Sequence, residues 1–153
     1  MKVLVIAFFL FKSCVAFNLS SNIEELRHLY ISATSEEEVC QELYHLTENS
    51  DLNTNVIAYS YHAVANMLLA KYYRNPIKKW RYFNTGKSML ESAVRQYPNN
   101  LELRFLRYSV QKNAPDFLLY NSDLKSDKEF ITNNIDYQTE HLRVFINRIL
   151  NTL

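Results

Sequence analysis

"YPNNLELRFLRYSVQ", residues 97–111, decides how the chain is read. Pro98 and two asparagines lead into a stretch that reads as helix. Glu102 falls on its apolar side, with Arg104 and Arg107 on the other. Two readings compete for this arrangement: a charged site, or helix punctuation. Tyr97-Pro98 stops the preceding helix, because proline disfavours a helical predecessor. Asn99 then stands three residues before Glu102, the spacing of a capping box, and a carboxylate is also favoured by the dipole at a helix N-terminus. Local hydrogen bonds suffice for this pattern, so Glu102 is expected to be punctuation.

Outward from this stretch the chain is helical by periodicity. Ile23, Leu26, Tyr30 and Ala33 recur at helical spacing, and Val39, Cys40, Leu43 and Leu46 do so in the next segment. Capping boxes are expected at Asn22 with Glu25, at Ser35 with Glu38, and at Ser126 with Glu129. A third helix runs from about Val56 to Tyr73. Its alanines, Ala58, Ala63, Ala65 and Ala70, let a neighbour approach closely. Pro76 suits the first position of a fourth helix ending near Gln96. Gly86 lies inside it at a cost of ~1 kcal/mol relative to alanine, which a tight helix crossing explains. The fifth helix ends before Pro115, and "PDFLLY" offers a short extra turn. A last helix from Ser126 to about Leu150 carries Phe130, Ile131, Ile135, Leu142, Phe145, Ile146 and Ile149 as its stripe. It either docks on the bundle or pairs with a second copy of the chain as a homodimer.

At 153 residues the chain has the length of one domain. Lys2, the apolar run Val3 to Phe11, and Cys14-Val15-Ala16 have the layout of a secretory signal peptide cleaved after Ala16. Residues 1–16 are therefore read as a leader and 17–153 as a single all-helical domain, exported to the periplasm or the extracellular space. Lys12 and Ser13 make a poor lipoprotein processing site ahead of Cys14. Losing Lys2 and Lys12 turns the formal net charge from +1 to about −1, a balance that exerts no global pull on nucleic acid or anionic membrane. Cys40 is then the one remaining thiol, so no internal disulfide forms. It sits on an apolar face and is expected to be buried and inert. One glycine and three prolines in the whole chain argue against an all-β fold.

"GKSMLESAVRQYPN", residues 86–99, resembles the second helix of a tetratricopeptide repeat. Gly86, Leu90, Ala93 and Pro98 stand at that family's offsets, and "AYSYHAVANMLLAKYY" looks like a first helix without the usual tryptophan and glycine signature. The resemblance covers about one repeat of ~34 residues. It implies protein or peptide binding on a concave face and carries over no catalytic residue. The whole chain also looks like small exported helical proteins of flavobacteria that have no assigned activity.

Few residue sets point to chemistry. Glu25 with His28 and Glu42 with His45 are Glu-x-x-His pairs of the kind used in di-metal bundles. At ~100° per residue both pairs fall off the apolar stripes of their helices and point outward, so no metal or cofactor is expected. His62 and His141 are isolated. A nucleophilic site needs a nucleophile, a base and an orienter converging, and no glycine-flanked serine elbow or phosphate loop is present. Charge is unevenly spread. Residues 24–51 hold eight acids and one base, Arg27, whereas residues 71–95 hold seven bases and one acid, Glu91. "KYYRNPIKKWRYF" interleaves bases with aromatics. Such a surface can bind nucleic acid, which export disfavours, or an anionic glycan or lipid surface. Arg104, Arg107 and Gln111 share one helical face at i, i+3 and i+7. They read either as a solvated ridge or as a groove lining that holds a partner's carboxylates.

The resulting expectation is an all-α protein of five to six antiparallel helices, as tetratricopeptide-like hairpins or a compact right-handed bundle, with no inward-facing reactive polar cluster. Its function is expected to be non-enzymatic binding or scaffolding of a protein or peptide partner, through Lys78, Lys79, Trp80, Arg81, Arg104, Arg107 and Gln111. Three alternatives stand beside it: a metal-binding or hydrolytic envelope protein with a site assembled in space, a binder of anionic glycan or lipid through residues 71–83, and a purely structural envelope component.

Overall fold

The computed structural model describes the backbone of residues 19–153 and the side chains of residues 23–153. The expected leader and Cys14 lie outside the described residues. The elements within them are α1 (Leu19–Ala33), α2 (Glu37–Thr47), α3 (Val56–Tyr72), α4 (Pro76–Gln96), α5 (Leu101–Asn113), α6 (Leu124–Asn134) and α7 (Glu140–Leu150), with short 3-10 turns at Asp116–Leu118 and Ile135–Tyr137. No strand occurs among the described residues.

Helix starts follow side-chain chemistry where an asparagine or threonine can reach the first amides. The Asn55 side chain accepts from the Ala58 amide (3.1 Å), Asn75 from Ile77 (2.9 Å) and Lys78 (3.2 Å), and Asn100 from Leu103 (3.2 Å). Pro76 takes the first position of α4, where its missing N–H costs nothing. The expected capping boxes fail for identifiable reasons. Helix α1 begins at Leu19, upstream of Asn22. At α2, Glu36 occupies the cap position without a side-chain bond, and the Ser35 hydroxyl donates back to the Ser32 carbonyl instead. At α6 the Ser126 hydroxyl likewise donates back, to the Asp123 carbonyl (3.0 Å).

The single last helix expected over 126–150 is in fact two. The Asn134 side chain donates to the Phe130 carbonyl (2.8 Å), a local bond that competes with the helical ladder. The chain then passes through the 3-10 turn, and Thr139 caps a new helix by accepting from the Leu142 amide. This break accounts for seven helices where five or six were expected.

Helix α3 is the centre of the packing and touches α1, α2, α4 and α5. It is buried on nearly all sides, as its alanine-rich composition allows. At Gly86, α3 and α4 approach closely. A Cβ built there would overlap the Ala63 carbonyl oxygen and lie 2.7 Å from Met67 Cγ. Helix α7 docks on α5 and α1, burying Leu142, Phe145 and Ile146. The Phe145 ring meets Phe105 edge-on at 5.5 Å and Tyr30 at 6.3 Å. The apolar stripe of the last helix is therefore spent within the chain.

Candidate functional site

The opening question has a structural answer that differs from the capping reading. Asn100, not Asn99, caps α5, which puts Glu102 at the second helical position and turns it inward. Glu102 is 4% exposed. Arg27 of α1 grips it with two parallel bonds, Nε to Oε1 (2.9 Å) and Nη2 to Oε2 (2.7 Å), and the Tyr61 hydroxyl of α3 donates to Oε1 (2.8 Å). The remaining Arg27 nitrogen donates to Glu24 (2.6 Å). Burial by itself would lower the Arg27 pKa; the bonds and charge of Glu102 outweigh it and hold the guanidinium above its ordinary value. Burial, followed by the Glu102 charge, drives the Tyr61 pKa well up, so the phenol keeps its proton and stays a donor. Two turns on, Ser109 of the same face bonds the Tyr30 hydroxyl at 2.7 Å.

A second buried cluster lies on the other face of α5. Arg107 donates to Asp127 of α6 from Nε (2.7 Å) and Nη2 (2.9 Å), and from Nη1 to Glu91 of α4 (2.9 Å). Arg104 also donates to Asp127, and its guanidinium lies 4.5 Å from the centre of the Phe130 ring. Asp127 is 0% exposed. The Gln111 amide donates to Asp123 (3.3 Å), and the Tyr120 hydroxyl donates to Glu91 (2.6 Å). Arg104, Arg107 and Gln111 thus form neither a solvated ridge nor an open groove. The carboxylates that pair with the two arginines belong to the chain itself, while the Gln111 Oε1 is buried without a partner. Both networks turn clusters of ionisable groups inward, where no inward-facing reactive polar cluster was expected.

The two networks clamp α5 to four neighbours: α1 and α3 on one side, α4 and α6 on the other. The two most buried carboxylates, Glu102 and Asp127, each meet an arginine in bidentate geometry, the arrangement that offsets the desolvation of a buried charge. With every guanidinium committed to an acid, these groups supply packing specificity rather than a free acid, base or nucleophile. Cys40 is buried as expected; its thiol lies 3.7 Å from the Ala65 carbonyl, and burial pushes its pKa up to about 12, so it is held as the unreactive thiol. Glu25, His28, Glu42 and His45 are all exposed. No group of three or more potential metal ligands occurs among the described residues.

The basic aromatic segment divides into two layers. Phe83 is buried, and Tyr72, Tyr73 and Tyr82 are half-buried, with the Tyr73 and Tyr82 rings 4.7 Å apart. Trp80 and Ile77 point outward, at 68% and 75% exposure. Every residue from 74 to 81 is exposed. Lys78 lies over the Tyr73 ring at 5.4 Å. Among the described residues, none of Arg74, Lys78, Lys79 and Arg81 pairs with an acid of the chain. Of the seven residues expected to contact a partner, Lys78, Lys79, Trp80 and Arg81 are on the surface, while Arg107 and Gln111 are buried and Arg104 is largely so.

A cleft of about 330 Å³ lies between α1 and α7, with Arg27, His28, His141 and Phe145 on its walls. Part of its charge is already paired within the chain: Arg27 binds Glu24 and Glu102, and His141 lies 3.6 Å from Glu24. Comparison with protein-family models, with curated proteins and with solved structures found no match.

Proposed function

We propose that the chain is an exported, non-enzymatic binding or scaffolding module whose contact surface is the projecting start of α4. In this reading α3 and α4 form one tetratricopeptide-like hairpin, supported by the contact of Gly86 with Ala63 and the burial of Leu90 and Ala93. Export rests on the leader pattern of residues 1–16 alone. The observation that carries the proposal is the contrast between the two sets of basic residues. Arg27, Arg104 and Arg107 are consumed by internal carboxylates, whereas Lys78, Lys79 and Arg81 stand around an exposed tryptophan. Large exposed apolar groups beside unpaired charges mark contact surfaces.

A photoreactive amino acid placed at position 80, with a second placement at exposed Lys128 of α6 as control, tests this in the producing cell. Adducts are expected from position 80, absent from position 128, and lost when Lys78→Glu and Lys79→Glu are added. No adduct from position 80, or equal adducts from both positions, contradicts the proposal.

A further inference from the structure

The start of α4 carries two features that together define its occupant. The first is shape. Residues 76–81 are each exposed through more than one turn, so this helix end stands out into solvent. A projecting end offers no groove for a peptide to enter, but a broad soft surface can surround it. The second is composition. Ile77 and Trp80 lie three residues apart on one face of the helix. Arg74, Lys78, Lys79 and Arg81 flank them in the chain, and no acid occurs between residues 71 and 81. Glu37 is the acid whose charge reaches this corner, at Tyr73. An anionic polysaccharide or a nucleic acid would pair the bases and leave Ile77 in water. Covering both sets of groups takes a layer of negative charge directly above an apolar phase.

From this juxtaposition we infer that the start of α4 docks on an anionic lipid bilayer surface, with Ile77 and Trp80 entering the headgroup–acyl boundary and the surrounding Lys and Arg pairing with lipid phosphates. The inference rests on the proposed function above and names its partner. Interfacial helices bury an apolar face ~5–10 Å into this boundary, and Ile77 with Trp80 offer such a face here. Tryptophan favours this boundary because its ring is apolar and its N–H is not. Each Lys or Arg near an anionic leaflet strengthens attachment roughly fivefold. No helix among the described residues is long and apolar enough to cross a membrane, so attachment by α4 is peripheral.

Trp80 is the one tryptophan in the chain, so its emission reports on this site alone. The full chain is mixed with vesicles of phosphatidylcholine, and with vesicles in which about one-third is phosphatidylglycerol. The expected result is a blue shift and quenching by brominated acyl chains with the anionic vesicles only, both reversed by salt. Lys78→Glu with Lys79→Glu should weaken binding at least about tenfold. The salt dependence of the unsubstituted chain reads the same quantity without any variant. The apolar run Val3 to Phe11 could also carry the chain onto vesicles, neutral ones included. Co-sedimentation with unmoved Trp80 emission therefore overturns the inference. So does an absence of binding to anionic vesicles; if position 80 still forms adducts in the cell, the contact surface stands and only its lipid partner is lost. If position 80 forms no adducts either, both readings fall.

Discussion

Glu102 shows how a single side chain can satisfy two descriptions of the same sequence. As a cap it would be replaceable at a cost of about 1 kcal/mol. As the carboxylate gripped by Arg27 and Tyr61, its removal leaves a buried guanidinium with Glu24 bonding only one of its three nitrogens. Glu102→Ala is expected to destabilise the fold by about 3–5 kcal/mol, measured by urea unfolding. A loss near 1 kcal/mol would restore the capping reading. The signal for burial was in the sequence: Glu102 lies on the apolar side of its helix, and Arg27 is the one base among eight acids in residues 24–51. What the sequence could not supply was the distance between them, since they are 75 residues apart and meet only through packing. Arg104, Arg107 and Gln111 were legible as one face for the same periodic reason. Their partners Asp123 and Asp127, one turn apart, were not recognised as the complementary row.

At the scale of elements, the helices with strong caps or strong breakers were legible, and those with weak ones were not. Asn75-Pro76 and Tyr97-Pro98 mark real boundaries because proline acts locally. The break at Ile135–Tyr137 depends on Asn134 and Thr139, residues that a helix also tolerates, so an unbroken stripe concealed it. The crossing at Gly86 is the element-scale feature that sequence reasoning located best, since an internal glycine needs a reason. Gly86→Ala should gain ~1 kcal/mol in helix propensity and still destabilise the protein by a net ~1–3 kcal/mol, because the new methyl meets a backbone carbonyl that cannot step aside. Thermal unfolding measures this directly. An increase in stability would mean that α3 and α4 do not approach as closely as described.

At the scale of the molecule, stability comes from apolar packing locked by buried polar networks, and both respond to pH. Burial holds the Tyr30 phenol up to about 12 from an ordinary 10.0, Tyr61 well above that ordinary value, and the Cys40 thiol up to about 12. These groups are neutral when protonated, so the fold retains protons that the unfolded chain releases. Their contribution is complete below the unfolded values and is lost as pH rises through the folded ones. The urea midpoint should fall across roughly pH 10 to 12 as the unfolded chain's tyrosines ionise; an unchanged midpoint over that range would place these phenols in water. The central division is between charges that build the molecule and charges it presents. Urea unfolding of two charge-reversed chains tests it most directly. Arg104→Glu with Arg107→Glu sets acids against buried Asp127 and should cost at least about 3 kcal/mol or prevent folding. Lys78→Glu with Lys79→Glu should unfold within about 0.5 kcal/mol of the unsubstituted chain. An arginine variant as stable as the unsubstituted chain, or a lysine variant that fails to fold, would contradict the account.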